Sequence, residues 1–96
     1  MSPKNKIKLN LLRKKLDIID YQLLKVIKKR TVIVKKVLSL KDYKKEIIDK
    51  KRISVVLKKI RKESIKINID PKITHRIWKN MIWSYIDFEK RNFKKK

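Results

Sequence analysis

The sequence has no cysteine. That excludes a disulfide framework, a Cys-ligated zinc and a thiol nucleophile, and it is compatible with a reducing cytoplasm, the expected location. It has no glycine either. Phosphate loops, dinucleotide fingerprints and two-residue hairpins depend on backbone conformations that glycine supplies, so those classes are excluded too. Only two prolines, Pro3 and Pro71, interrupt the chain. No apolar run approaches the roughly 20 residues of a membrane span, and the basic Met1–Asn10 stretch has no apolar segment behind it, so neither a span nor a signal peptide is expected.

Acidic residues are also scarce. Nine Asp and Glu stand against 31 Lys and Arg, a formal charge of +22 over 96 residues. Such a charge first suggests nucleic acid. The excess is mostly lysine, however, spread along the whole chain beside many Ile and Asn. A/T-rich codons supply that trio, so solvated faces account for part of it. A basic field attracts any anion, a small dicarboxylate included.

What remains is helix. Leu9, Leu12, Leu16, Ile19, Leu23, Ile27, Val34 and Val37 recur in steps mostly of three and four, which predicts one amphipathic helix over about Lys8–Leu40. Its length would be on the order of 45–50 Å. A compact monomer of this size is only about 30–35 Å across, so the far end of the helix calls for a partner, most simply a second copy. A polar connection follows from Asp42-Tyr43-Lys44. A second helix is predicted over Ile48–Ile65, burying Ile53, Val56, Leu57 and Ile60. Asp70-Pro71 is a start signal, because Asp caps free N–H groups and Pro suits the first helical position. The third helix should reach Asn92, with Ile73, Ile77, Trp78, Met81, Ile82, Tyr85 and Phe88 inward. One all-α domain over residues 1–96 is expected, with 1–8 and 93–96 as flexible tails.

Cations in or beside the apolar stripes carry the functional signal. Arg13 adjoins Leu12. Arg30 interrupts the stripe between Ile27 and Val34, and Lys41 closes the same helix. Arg30 and Lys41 are eleven residues apart; at about 100° per residue they share a face. Arg13 falls on another face, where it could serve a partner's pocket in a crossed dimer. A guanidinium in an apolar stripe is costly unless it meets an anion. It can snorkel to solvent or pair with Asp17, Asp20 or Asp49. Several such cations converging favour a carboxylate pocket, to which Arg is suited by its bidentate geometry.

The segment Leu12-Arg13 through Leu16-Asp17-Ile18-Ile19-Asp20, Leu23-Leu24 and Arg30, continuing to Val34, Val37 and Lys41, resembles the opening helix of the all-helical chorismate mutases. Asp49 and Arg52 in the second helix, and Ile82, Tyr85 and Glu89 in the third, extend the resemblance over nearly the whole chain. It implies a three-helix chain in an intertwined homodimer that rearranges chorismate to prephenate in phenylalanine and tyrosine biosynthesis, with no cofactor or metal. Arg13 of one protomer, with Arg30 and Lys41 of the other, would bind the two carboxylates. Lys41 would also donate to the ether oxygen of the breaking bond. Asp49 would lie near the ring hydroxyl and Arg52 would close the carboxylate side. Glu89 takes the place of a second ether-oxygen donor, which is Gln in some relatives and Glu in others.

There are departures. Ile53 stands where some mutases have a Glu that grips the hydroxyl, and Tyr85, at the substrate position, where some have Ser. The connection from Lys41 to Arg52 is a residue shorter than in some relatives. Ile53 and Tyr85 also make the chain similar to isochorismate-pyruvate lyases of the same fold, while Asp49 favours the mutase. Other residues read plainly. His75 is alone on a helix, Trp78 and Trp83 suit core or interface packing, and Ser39, Ser54, Ser64 and Ser84 lack a triad context. A nucleic-acid binder would cluster Arg on an exposed recognition helix, so nucleic acid is not the expected partner. A purely structural module would need a carboxylate beside Arg30.

Overall fold

A computed structural model describes residues 1–95 as three α-helices, α1 (Pro3–Ser39), α2 (Lys50–Lys66) and α3 (Pro71–Asn92), with a single 3-10 turn at Lys44–Glu46. The architecture is all-α, as expected, and among the described residues no helix is long and apolar enough to cross a membrane. The chain divides into two compact units, Met1–Val34 and the part from Lys35 onward.

The first unit is helix. It begins earlier than the apolar pattern predicts, because Ser2-Pro3 is itself a start signal. The Ser2 hydroxyl accepts the Asn5 N–H at 3.2 Å, the Ser2 carbonyl accepts the Lys6 N–H at 2.9 Å, and Pro3 fills the first helical position. Residues 3–8, expected in a tail, are therefore helical. Leu12, Leu16, Ile19 and Leu23 remain 54–56 % exposed. The 37 residues of α1 correspond to a helix of about 55 Å.

The second unit holds the core. Leu38 from the last turn of α1, Ile47 from the connection and Ile86 from α3 are buried, with Ile48, Ile53, Ile82 and Phe93 packed against them. α2 packs along α3. Asp49 precedes α2 and accepts the Arg52 N–H at 2.9 Å, so α2 starts at Lys50 rather than Ile48. Between α2 and α3 the chain must reverse without glycine. Asn68 takes the left-handed conformation, φ 62°. The Asn68 N–H bonds to the Ile65 carbonyl and the Ile69 N–H to the Ser64 carbonyl, a complete Schellman cap with Asn in the usual glycine position. Asp70 then accepts the Lys72 N–H at 2.9 Å ahead of Pro71, as the sequence predicts. The helices share a buried polar contact, Ser64 Oγ to Thr74 Oγ1 at 2.7 Å. Ser64 directs its own hydrogen to the Ile60 carbonyl, which makes Thr74 the donor and satisfies both buried hydroxyls.

Several burial expectations need correction. Ile73 and Ile77 are 55 % and 52 % exposed, whereas Thr74, Ile86 and Glu89 are the buried residues of α3. Periodicity identifies an apolar face but not how much of it one chain covers. Lys95, expected in a loose tail, donates to the Ser39 carbonyl at 2.6 Å. Phe93 is lodged against the core; Lys96 lies outside the described residues.

Candidate active site

The site is built around the end of α1. The Leu40 and Lys41 N–H groups bond to the Val37 and Leu38 carbonyls, each at 3.1 Å. These i to i+3 bonds tighten the chain as it leaves the helix. Lys41 therefore sits two residues past the last helical position, and the regular angular step used to align it with Arg30 does not extend that far. Leu38, buried in the core, fixes this end.

The Lys41 side chain is 19 % exposed and its ammonium Nζ donates to Glu89 Oε1 at 3.1 Å; the Glu89 side chain is 8 % exposed. Glu89 lies three residues beyond Ile86, so the helical period carries it to the same inward face. A carboxylate there is tolerable because a cation meets it. An ionised carboxylate can only accept hydrogen bonds, so in this pairing Lys41 is the donor.

On the outer side of the same turn, an open cleft is lined by Lys41, Glu46, Asp49, Lys50 and Lys51, over apolar Val37, Leu40 and Ile48. Lys41 thus belongs to the cleft and also reaches Glu89. Asp49 contributes to the cleft while one of its oxygens caps α2. Glu46 closes the loop: its Oε2 accepts the N–H of Asp42 at 2.7 Å and of Tyr43 at 3.0 Å. The Tyr43 N–H first, then the Asp42 N–H, hold the Glu46 carboxyl below its ordinary 4.5; desolvation opposes them, and Lys45 and Lys41 add lesser favourable charge.

The remaining expected residues are placed as follows. Arg52 is exposed in the first turn of α2, and Tyr85 is half-buried on α3. The Tyr85 ring meets Phe88 edge-to-face at 6.4 Å. Arg13 is exposed and Arg30 half-buried on α1, both in the first unit. Lys41, Glu89 and Asp49 are thus gathered at the end of α1. Sequence reasoning missed Glu46 and Lys95. Glu46 had a local signal, a Glu three residues after the residue that precedes a helical turn, as in a capping box. Lys95 had none, since its partner is 56 residues away. Among the described residues no group of three or more His, Asp or Glu forms a metal site.

A sequence profile described as chorismate mutase type II matches residues 12–90, which run from Leu12 in α1 past Glu89 in α3. The chain belongs to the type II chorismate mutase family. Neither a search of curated proteins nor one of solved structures found a match. Both members of the Lys41–Glu89 pair lie within the matched residues. Packing makes one departure intelligible. Ile53, where some mutases have Glu, packs against the Leu38–Ile47–Ile86 core, and Asp49 stays on the cleft beside Glu46.

Proposed function

We propose that this chain is a chorismate mutase, an isomerase that converts chorismate to prephenate without cofactor or metal. In this rearrangement the ether C–O bond breaks as a new C–C bond forms, and no atom is lost or gained. The protein has to hold the compact substrate conformer and stabilise negative charge growing on the ether oxygen. The observation that carries the reading is Lys41, a mostly buried ammonium held against Glu89 within the family match.

In this reading Lys41 turns part of its hydrogen bonding from Glu89 to the substrate, gripping a carboxylate and the ether oxygen. Arg30 and Arg13 bind carboxylates, Arg52 closes that side, Asp49 reads the ring hydroxyl and Tyr85 borders the ring. Glu89 acts as the second ether donor only when protonated, since its ionised form would repel the developing charge. The working form is a homodimer. Leu12, Leu16, Ile19 and Leu23 offer an exposed apolar stripe whose self-complementary occupant is the same stripe of a second copy. Arg13, beside that stripe, would then enter the partner's site.

Ile53 and Tyr85 support a second reading, an isochorismate-pyruvate lyase. The two are separated by product. Purified protein given chorismate should yield prephenate. Release of pyruvate and salicylate from isochorismate, with no prephenate from chorismate, would replace the mutase with the lyase.

A further inference from the structure

Lys41 has a long, flexible stem, so its reach to Glu89 depends on where its backbone is held. That backbone lies on a turn with no glycine, and Asn68 is the only described residue of positive φ. The usual left-handed cap is therefore absent from the end of α1, and its last carbonyls must find other donors. All four do. Lys36 O accepts the Ser39 hydroxyl at 2.6 Å, and Val37 O and Leu38 O accept the Leu40 and Lys41 N–H groups. Ser39 O accepts the Lys95 ammonium at 2.6 Å. A cation there also suits the negative end of the helix dipole.

Lys95 is delivered from the far end of the chain. α3 ends at Asn92, and Phe93 leaves it in an extended conformation, φ −72° and ψ 123°. Phe93 packs on the core. Two residues on, Lys95 reaches Ser39 O and lies 3.8 Å from Asp42 Oδ1. Glu46 ties the other flank of the turn through the Asp42 and Tyr43 N–H groups. The main chain is thus anchored before Lys41 by Lys95 and after it by Glu46. Glu89, the partner of Lys41, lies one helical turn before Phe93, so the tail that carries Lys95 continues from the helix that carries Glu89.

We propose that Glu46 and Lys95 are positioning residues for Lys41, and that the Phe93–Lys95 tail is part of the architecture of the site. This rests on the reading of Lys41 as the substrate-binding cation. Neither residue needs to touch substrate; each acts by holding the backbone from which Lys41 extends. A misplacement of about 1 Å in a catalytic group can lower turnover on the order of a hundredfold, so loosening one anchor of two should cost about tenfold.

The test compares full-length Lys95→Ala, Lys95→Arg, Glu46→Ala and Lys94→Ala proteins. Lys94→Ala removes the same charge from the same tail without removing the tether. Helicity and assembly state should match the wild type in all four. We expect kcat to fall about tenfold in Lys95→Ala and somewhat more in Glu46→Ala, with a smaller change in KM. Lys95→Arg should recover to within about twofold of wild type, and Lys94→Ala should stay there. Amide hydrogen exchange at Lys41, read in the same proteins without substrate, should accelerate severalfold in Lys95→Ala and not in Lys94→Ala. Wild-type kcat in both Lys95→Ala and Glu46→Ala would overturn the proposal, as would equal losses in Lys95→Ala and Lys94→Ala. If the wild type does not convert chorismate, the proposed reaction falls separately. The exchange rate at Lys41 then decides the tethers alone, faster in Lys95→Ala supporting them and unchanged overturning them.

Discussion

The two units of this chain put similar residues to different use. In Met1–Val34 the apolar stripe lies open, with Leu12, Leu16, Ile19 and Leu23 each more than half exposed. From Lys35 onward, residues of the same kind close over one another, and Leu38, Ile47 and Ile86 form a core. Cations differ in the same way. Arg13 is exposed in the first unit, whereas Lys41 in the second is drawn inward and matched to Glu89. The contrast teaches that amphipathic pattern is only an offer of surface. Whether the offer is taken up within one chain depends on topology, and only the second unit folds back on itself. The first is left open, and in our reading a second copy covers it.

The sharpest way to break this comparison is to attack each unit's defining feature. Lys41→Met should lower kcat/KM by on the order of a thousandfold if Lys41 supplies the electrostatic stabilisation of the ether oxygen. It should also destabilise the fold by about 3 kcal/mol, because Glu89 is left buried without its cation. Adding Glu89→Gln should restore most of the stability and none of the turnover. Chemical denaturation and steady-state kinetics on the two proteins separate these effects. A Lys41→Met protein with full stability would mean that the Lys41–Glu89 pair does not hold in solution.

In the first unit, Leu16→Lys with Leu23→Lys should abolish the dimer in sedimentation experiments and lower activity about a hundredfold or more, while residual helicity in the second unit persists. If the double variant remains dimeric, the stripe is not the interface. The core of the second unit should respond differently: Ile47→Ala should cost about 2–4 kcal/mol in unfolding free energy with little change in the association constant.

These contrasts also mark how far the sequence could be read. The start of α3 at Asp70-Pro71 was legible because both signals are local. Lys41 and Glu89 were each singled out through the resemblance, but their 3.1 Å contact was not legible, because it joins segments far apart in the chain. Ile47 was not legible as core. It stands in a polar connection, without periodicity, and becomes the most buried of the three core residues at 3 % exposure. Ile73 and Ile77 were read as inward from a true pattern, but the single chain does not cover them. The early start of α1 was missed because the apolar stripe begins well after Ser2-Pro3. Lys95 could not be found at all, since nothing local tells a capping lysine from the rest of a basic tail.

The smallest expected effect concerns Glu46. Its carboxyl is held below the ordinary 4.5 by the Tyr43 and Asp42 N–H groups. A depressed value in the folded state means that the ionised group adds stability above its unfolded value, and that the contribution is lost as pH falls through the folded one. The thermal midpoint of Glu46→Gln should therefore lie slightly below wild type at pH 7, and the two should converge as pH drops below the usual carboxylate range. A gap that is constant with pH would remove the charge-based part of this clamp.

The most direct test of the division of labour is complementation between the units. Arg13→Ala damages the first unit and Lys41→Met the second. Each protein alone should be nearly inactive. Unfolded together in equal amounts and refolded, about half of the dimers should be mixed, each with one site carrying both lesions and one carrying neither. Recovery of about a quarter of wild-type activity is expected under those statistics. Mixed dimers shown to form by native mass spectrometry, yet no more active than the parents, would contradict it.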